Sequence, residues 1–314
     1  MDWQRLCEQL RIGSLTDKPM RLIGGWMHTM YKIVTEDGVY AVKCLNPQVM
    51  ARTEAHANFA AAERLEGVLE HTDLPILPAL TIGGRKMQEV DGAFFYVFPY
   101  FDGKALQEGD ITPAHCDVVG RLLAKLHAVE TIPVPVSSER LTFDWSEFDL
   151  SNEDKAVLTE MQENANGATL PPRSVICHND MDPKNVLWHG MDCRIIDLEC
   201  LGYGSPYQEL LETALCWAGY ESGAVDWGRF AAFVKAYAGA GGDLKADWES
   251  VYHANCGRLG WLHYNLQRAE DSHAPTAALG QHEVDKTLTC IRGYRHIKET
   301  LTETMKTIQK EGLV

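Results

Sequence analysis

The stretch from Val175 to Glu199 constrains this chain more than any other. Three short apolar runs, Val175-Ile176-Cys177, Val186-Leu187-Trp188 and Arg194-Ile195-Ile196, are separated by turn residues, with Gly190 marking the second turn. Runs this short and this rich in β-branched residues read as strands. The loop between the first two carries His178, Asp180, Asp182, Lys184 and Asn185, and Asp197 stands at the end of the third run. Loops mounted on rigid strands are where chemistry is usually placed. The spacing His178-x-Asp180-x-x-x-x-Asn185, with Asp197 further on, supplies one carboxylate that can accept a hydroxyl proton. It also supplies two hard oxygen ligands of the kind Mg2+ takes beside nucleotide phosphates. The plain alternative is a β-hairpin with a solvated acidic turn, which requires three polar residues to fall in register by accident.

The Asp-to-Asn interval is that of the protein-kinase catalytic loop, in which the Asp is the base and the Asn a metal ligand. The whole stretch resembles the aminoglycoside phosphotransferase and choline kinase group of small-molecule kinases. That likeness runs from His178-Asn179-Asp180 through Asn185, continues through Ile196-Asp197-Leu198-Glu199, and reaches Gly202-Tyr203-Gly204-Ser205-Pro206. It extends over roughly residues 20 to 270. Three positions depart from the family pattern: Asn179 where Gly is usual, Asp182 where His is common, and Glu209 where an Asp opens the next helix.

Upstream, the period changes from helical to strand-like. Trp3, Leu6 and Leu10 suit a packed N-terminal helix. Beyond Met20, Asp37-Gly38 between two strand-like runs is a strong hairpin signal. In the run that follows, Val39, Ala41, Lys43 and Leu45 share a face, which places an ammonium among apolar side chains. The triplet Ala41-Val42-Lys43 matches the kinase strand whose Lys binds phosphates and whose Ala lines the base. Gly24 and Gly25, two strands earlier, would then form a turn over the phosphates, since missing Cβ atoms permit close backbone approach. A kinase-type Lys needs a Glu from the next helix. Glu54 and Glu63 are both available on the Ala-rich stretch 52–69, and the spacing of the resembling family favours Glu63. The run Ala93 to Phe98, ending at Pro99-Tyr100, corresponds to that family's adenine-binding connector, which nominates Phe98 and Tyr100.

Thr112-Pro113 starts a helix bearing Val118, Leu122, Leu126 and Val129, with His127 read as a structural histidine. Segments 152–163, 207–220, 226–239, 246–268 and 277–309 read as further helices. Strands with one helix, then helices with a small hairpin, give an α+β protein. The resemblance implies a two-lobe protein-kinase-like fold with a nucleotide-binding lobe at 1–100 and a catalytic and substrate-binding lobe at 101–314.

Composition narrows the partners. Twenty-nine Lys and Arg against 44 Asp and Glu give a formal charge of −15, which repels nucleic acid and anionic lipid. No apolar run is long enough to span a membrane. Nine cysteines without a C-x-x-C pair point to reduced thiols, and with no signal-peptide pattern at Met1 to Arg5 the reading is cytoplasmic. The expectation is therefore an ATP- and Mg2+-dependent phosphotransferase acting on a hydroxyl of a small cationic molecule, as the resemblance to aminoglycoside phosphotransferases implies. The alternatives are a choline-, sugar- or homoserine-kinase-like enzyme and a nucleotide-binding protein without catalysis, and the oligomeric state is unspecified. Asp180 would be the base with His178 bracing the loop, and Asn185 and Asp197 the metal ligands. Lys43, Glu63, Gly24, Gly25, Ala41, Phe98 and Tyr100 would hold the nucleotide. Glu199, Glu209 and Asp182 would face the acceptor, with aromatics such as Trp217, Trp248 and Tyr207 either beside it or in the core.

Overall fold

The computed structural model describes residues 2–22, 27–131, 140–270 and 277–311. Gly24 and Gly25 lie outside the described residues. The chain opens with helix α1 (Trp3–Leu10), strands β1 (Met20–Leu22), β2 (Thr29–Val34) and β3 (Val39–Cys44), and helices α2 (Pro47–Met50) and α3 (Ala55–Leu69). Strands β4 (Gln88–Val90), β5 (Ala93–Pro99) and β6 (Lys104–Ala105) follow, then helices α4 (Pro113–His127) and α5 (Asn152–Gly167). Next come strands β7 (Val175–Cys177), β8 (Val186–His189), β9 (Asp192–Ile195) and β10 (Gly202–Gly204). Helices α6 (Pro206–Trp217), α7 (Trp227–Gly239), α8 (Trp248–Ala254), α9 (Gly257–Glu270) and α10 (Ala277–Glu311) complete the order.

The fold resolves into two compact units, one of Met1–Gly109 with His178–Gly202, the other of Asp110–Cys177 with Tyr203–Val314. The boundary expected at residue 100 falls inside the first unit, which also takes in the loop segment 178–202. Backbone pairing accounts for this: β8 sits between β6 and β9, and Leu77 N–H donates to Ile195 O at 2.9 Å.

In the first unit an antiparallel sheet has the order β1-β2-β3-β5-β4, and the expected hairpin at Asp37-Gly38 joins β2 to β3. Directly opposed residues of an antiparallel pair share a face. Ala41 stands opposite Phe98, and Lys43 opposite Tyr96, so these four point the same way. That face is covered by the cluster of Leu45, Met50, Phe59, Ala79 and Tyr96, to which α2 and α3 contribute. The other face, with Ile33, Val42, Phe95 and Val97, packs on Leu6, Cys7 and Leu10 of α1. Alternation in β3 thus delivers Lys43 to an interior face, where it is 7% exposed. A charge so placed is stable only beside carboxylates.

The second unit is mainly helical. Thr112 and His115 cap α4 reciprocally, with Pro113 in its first turn, and α4 packs on α7 where Gly120 removes any obstacle. A Cβ there would lie 2.3 Å from Phe233 O. Val157 and Leu158 of α5, Leu259, Leu262 and Leu266 of α9, and Val284, Leu288 and Ile291 of α10 form one core at helical spacing. The helix expected over 246–268 is two helices. Asn255 leaves helical backbone at ψ 80 and donates Nδ2 to Glu212 at 2.9 Å, and Gly257 follows with low helix propensity. Trp217 and Trp248 are fully buried and Tyr207 nearly so, which assigns these aromatics to the core. Among the described residues no helix is long and apolar enough to cross a membrane, and all nine cysteines are free thiols.

Asp154 in the first turn of α5 ties that helix to α10. Its two oxygens accept from Arg292 Nε and Nη2, both at 2.8 Å, and Ser151 Oγ donates to it at 2.6 Å. The Arg292 hydrogen bonds hold its carboxyl below the ordinary range despite burial, with Ser151 adding to the effect. A depressed carboxylate contributes stability above its unfolded pKa and loses it as pH falls through the folded one. Because Arg292 is half exposed, Asp154→Ala should cost only about 1–2 kcal/mol at pH 7. Denaturant melts at pH 7 and at pH 3 should show the gap between variant and wild type narrowing as pH falls. An equal gap at both pH values would refute the ion-pair account.

Candidate active site

In the first unit, Lys43 of β3 is held between two carboxylates that follow β9. Its Nζ lies 2.6 Å from Asp197 Oδ1 and 2.5 Å from Glu199 Oε2. Burial alone would drive off its proton. The two carboxylates reverse that and raise its pKa. Glu63, expected as its partner, is not. The Glu63 carboxylate accepts from the Tyr96 hydroxyl at 2.6 Å and from the Met87 amide at 3.2 Å. The reason is competition: Asp197 and Glu199 reach the ammonium first, and Tyr96, opposite Lys43 in the sheet, takes Glu63. Glu54 is exposed at the start of α3, away from this arrangement. Lys43, Glu63, Tyr96, Phe98, Asp197 and Glu199 line one small cleft. Ala41 is buried in register with Phe98. Tyr100 is outside that lining, with Lys32 Nζ 4.0 Å above its ring and its own N–H given to Val39 O.

The loop after β7 is a set of local hydrogen bonds. His178 is 1% exposed, with Nε2 3.0 Å from Ile196 O and Nδ1 accepting from Asp180 N–H, so it fastens the loop to the backbone next to Asp197. Asn179 has the left-handed backbone, φ 62, that Gly adopts most easily and Asn next. That explains an Asn where the resembling family carries Gly, and its Nδ2 donates to Cys200 O at 2.8 Å. Asn185 donates Nδ2 to both Asp180 O and Asp180 Oδ2, each at 2.8 Å. Lys184 holds the other Asp180 oxygen at 2.9 Å and Asp182 at 3.0 Å. Burial and the Asp182 charge push the Asp180 carboxyl up to about 6, against the pull of Lys184.

The donor set suits a hard divalent cation. Asn185 turns its amide nitrogen to Asp180, which leaves its Oδ1, and Asp197 spends Oδ1 on Lys43, which leaves Oδ2. Both remaining donors are oxygens, the ligand type Mg2+ requires. Asp197 also takes left-handed backbone, φ 62, which turns the chain after β9.

Two of the three residues expected to face an acceptor are engaged with other side chains of the chain. Glu199 is spent on Lys43 and on His28, whose Nε2 lies 3.3 Å from Glu199 Oε1. Although burial opposes it, the His28 hydrogen bond and the Lys43 charge hold Glu199 down to about 2. Glu209 belongs to the second unit and is 7% exposed, its Oε2 2.7 Å from His127 Nε2. His127 Nδ1 in turn lies 2.8 Å from the Tyr237 hydroxyl, and the Cys177 thiol bonds to Glu209. A side chain on the inner face of α6 is drawn into the core polar network. His127, Cys177 and Glu209 could be mistaken for metal ligands. The 2.7 Å separation is instead a hydrogen-bond length, shorter than the roughly 3.3 Å between ligands of a tetrahedral zinc site. Asp182 stays in the loop beside Asp180, and the two carboxylates share the single ammonium of Lys184, which leaves the loop acidic.

Sequence reasoning missed His28, Tyr96 and the bridging role of Lys184. The signal for Lys184 was present, because a residue four after Asp180 in a tight loop returns to it. For His28 there was none, since its partner is 171 positions away by residue number (199 − 28).

Comparison with known proteins gives these geometries a context. The family model described as the phosphotransferase enzyme family matches residues 20–254. No curated protein sequence matches the chain. Among solved structures, a choline/ethanolamine kinase family protein from Mesorhizobium loti superposes with a TM-score of 0.66 at 16% identity, covering 99% of this chain and 100% of that one. An amicoumacin kinase in complex with AMP-PNP and Ca2+ gives 0.65 at 13% identity, covering 96% and 94%. An AMP-bound spectinomycin phosphotransferase gives 0.64 at 13%, covering 93% and 98%. At these identities the likeness is one of fold. It is the expected α+β kinase-like class, with an antiparallel sheet first and helices after.

Proposed function

The chain belongs to the phosphotransferase enzyme family as a small-molecule kinase, and from that premise we propose that it transfers the γ-phosphoryl group of ATP to a hydroxyl of a small, amine-bearing acceptor. The observation that carries this reading is the convergence of Lys43, Asp197, Asn185 and Asp180 within one compact unit, although Lys43 and Asp197 are 154 residues apart. In it, Asp180 orients the acceptor hydroxyl and takes its proton, and His178 keeps the loop in place. Asn185 and Asp197 would hold Mg2+, which supplies charge neutralisation at the phosphates. Lys43 supplies a fixed cation for the same phosphates, and Phe98 and Ala41 an apolar wall for the base. Such a site works by positioning and electrostatics, because the transferred phosphoryl needs little covalent help. In this reading residues 1–100 serve nucleotide binding and 101–314 catalysis and substrate binding, with 178–202 packed into the first compact unit.

The amine reading rests on the −15 charge and on Asp182 beside Asp180. Structural relatives named for choline, ethanolamine and spectinomycin agree with it. The free cysteines suit a reducing compartment such as the cytoplasm. A transfer screen with Mg-ATP over amino alcohols, aminoglycosides and neutral sugars, read by mass, tests the proposal. A phosphorylated amino alcohol or aminoglycoside is the expected product. Phosphorylation of neutral sugars alone would end the amine reading. Nucleotide binding with no product on any hydroxyl would make the chain a nucleotide-binding protein without catalysis.

A further inference from the structure

His28 has no part in the chemistry just described, yet it is 7% exposed and joined at both ring nitrogens. Its Nδ1 accepts the Asn46 N–H at 2.9 Å. An acceptor at Nδ1 places the ring proton on Nε2, and Nε2 faces Glu199 Oε1 at 3.3 Å. The second Glu199 oxygen is on Lys43 Nζ. A backbone amide, an imidazole, a carboxylate and an ammonium therefore form one chain, anchored at the start of α2 and ending on the cation of the cleft. Phe59 of α3 packs near the imidazole at 6.3 Å between ring centroids, which limits its rotation. At metal sites, outer groups that orient a ligand by one hydrogen bond govern metal affinity by roughly 10- to 100-fold, and the same logic applies to a carboxylate that holds an ammonium.

We propose that His28 is a positioning residue for nucleotide binding: it fixes Glu199, and Glu199 fixes the direction in which Lys43 presents its charge. Resting on the kinase reading, this moves Glu199 from the acceptor to the nucleotide side. Without the Nε2–H donor, Glu199 keeps Lys43 as its partner but gains rotational freedom, and the ammonium loses its preset direction. The cost should fall on nucleotide affinity, and acceptor affinity should be spared.

The experiment measures KM for ATP, KM for the acceptor and direct Mg-ATP binding in wild type, His28→Phe and His28→Gln, with melting temperature alongside. Phe keeps the ring packed on Phe59 and lacks the donor, and Gln can return an amide N–H to the Nε2 position. His28→Phe should raise both KM and Kd for ATP about tenfold, the worth of a hydrogen bond to a charged group. Acceptor KM should stay within about twofold, and Gln should recover most of the ATP affinity. Unchanged ATP affinity in His28→Phe would overturn the proposal. So would equal losses in both KM values with no rescue by Gln, which is how a merely structural defect behaves. Wild-type protein that binds no Mg-ATP would instead sink the kinase reading, so the two failures can be told apart.

Discussion

Asp180→Asn is expected to lower turnover by roughly two to four orders of magnitude, the usual worth of a positioned general base. Mg-ATP affinity should stay close to that of wild type. The geometry explains why the loss should be confined to chemistry. Asn185 donates to one Asp180 oxygen, and the Asn oxygen of the variant can accept the same bond, so the loop keeps its shape. Only the capacity to take a proton and the charge opposite Lys184 are removed. Stability should move the other way. Burial and Asp182 raise the Asp180 carboxyl to about 6, above its unfolded value. A raised carboxyl favours the fold at low pH, and that contribution is lost as pH rises through 6. At pH 8 a neutral Asn escapes the penalty, and the variant should melt no lower than wild type. Rapid-quench turnover, nucleotide titration and thermal melts together decide the matter. Substantial turnover with the true acceptor would remove Asp180 from the role of base.

What could be read from the sequence was local. The Asp180-to-Asn185 interval, the Asp37-Gly38 hairpin and the alternation that turns Lys43 inward depend on residues a few positions apart, where backbone period alone decides facing. The choice of partner for Lys43 was not local. The sequence offered Glu54 and Glu63, yet the ammonium is taken by Asp197 and Glu199, 154 and 156 positions away. The winner was set by the β3–β5 register, which gives Glu63 to Tyr96, and by the turn at Asp197. The burial of Glu209 was hidden for a related reason. An acidic residue early in a helix suggests an open site, but the inward side of α6 meets His127 and Tyr237 from two other helices. Depth of burial is a property of packed elements, and no spacing rule reports it. The break at Asn255 was hidden likewise, because the side-chain bond to Glu212 that ends α8 crosses 43 residues.

Asp197 is the residue whose loss should cost most in binding, and the sign of the effect depends on metal. One oxygen of its carboxylate is on Lys43, at 2.6 Å, and the carboxylate would also help hold a divalent cation, which would supply charge neutralisation to the phosphates. With Mg2+ present, Asp197→Asn should weaken ATP binding by at least about 100-fold, since removing a charged ligand should exceed the 10–100-fold typical of an outer-shell loss. In EDTA the expectation reverses. A carboxylate beside phosphates is then only repulsive, and Lys43, freed from one of its two acids, can turn its charge to the nucleotide. Metal-free affinity should hold or rise. Asn is the better probe than Ala because position 197 sits at φ 62, where a Cβ-bearing residue without a polar side chain costs about 1–2 kcal/mol. Asn185→Ala should weaken metal-dependent binding less, because an amide offers a dipole and no charge. Calorimetric titration of ATP into both variants, with Mg2+ and then with EDTA, separates the roles. Equal affinity in wild type and Asp197→Asn under Mg2+ would remove the metal assignment. An equal loss in both media would make Asp197 a structural partner of Lys43 and nothing more.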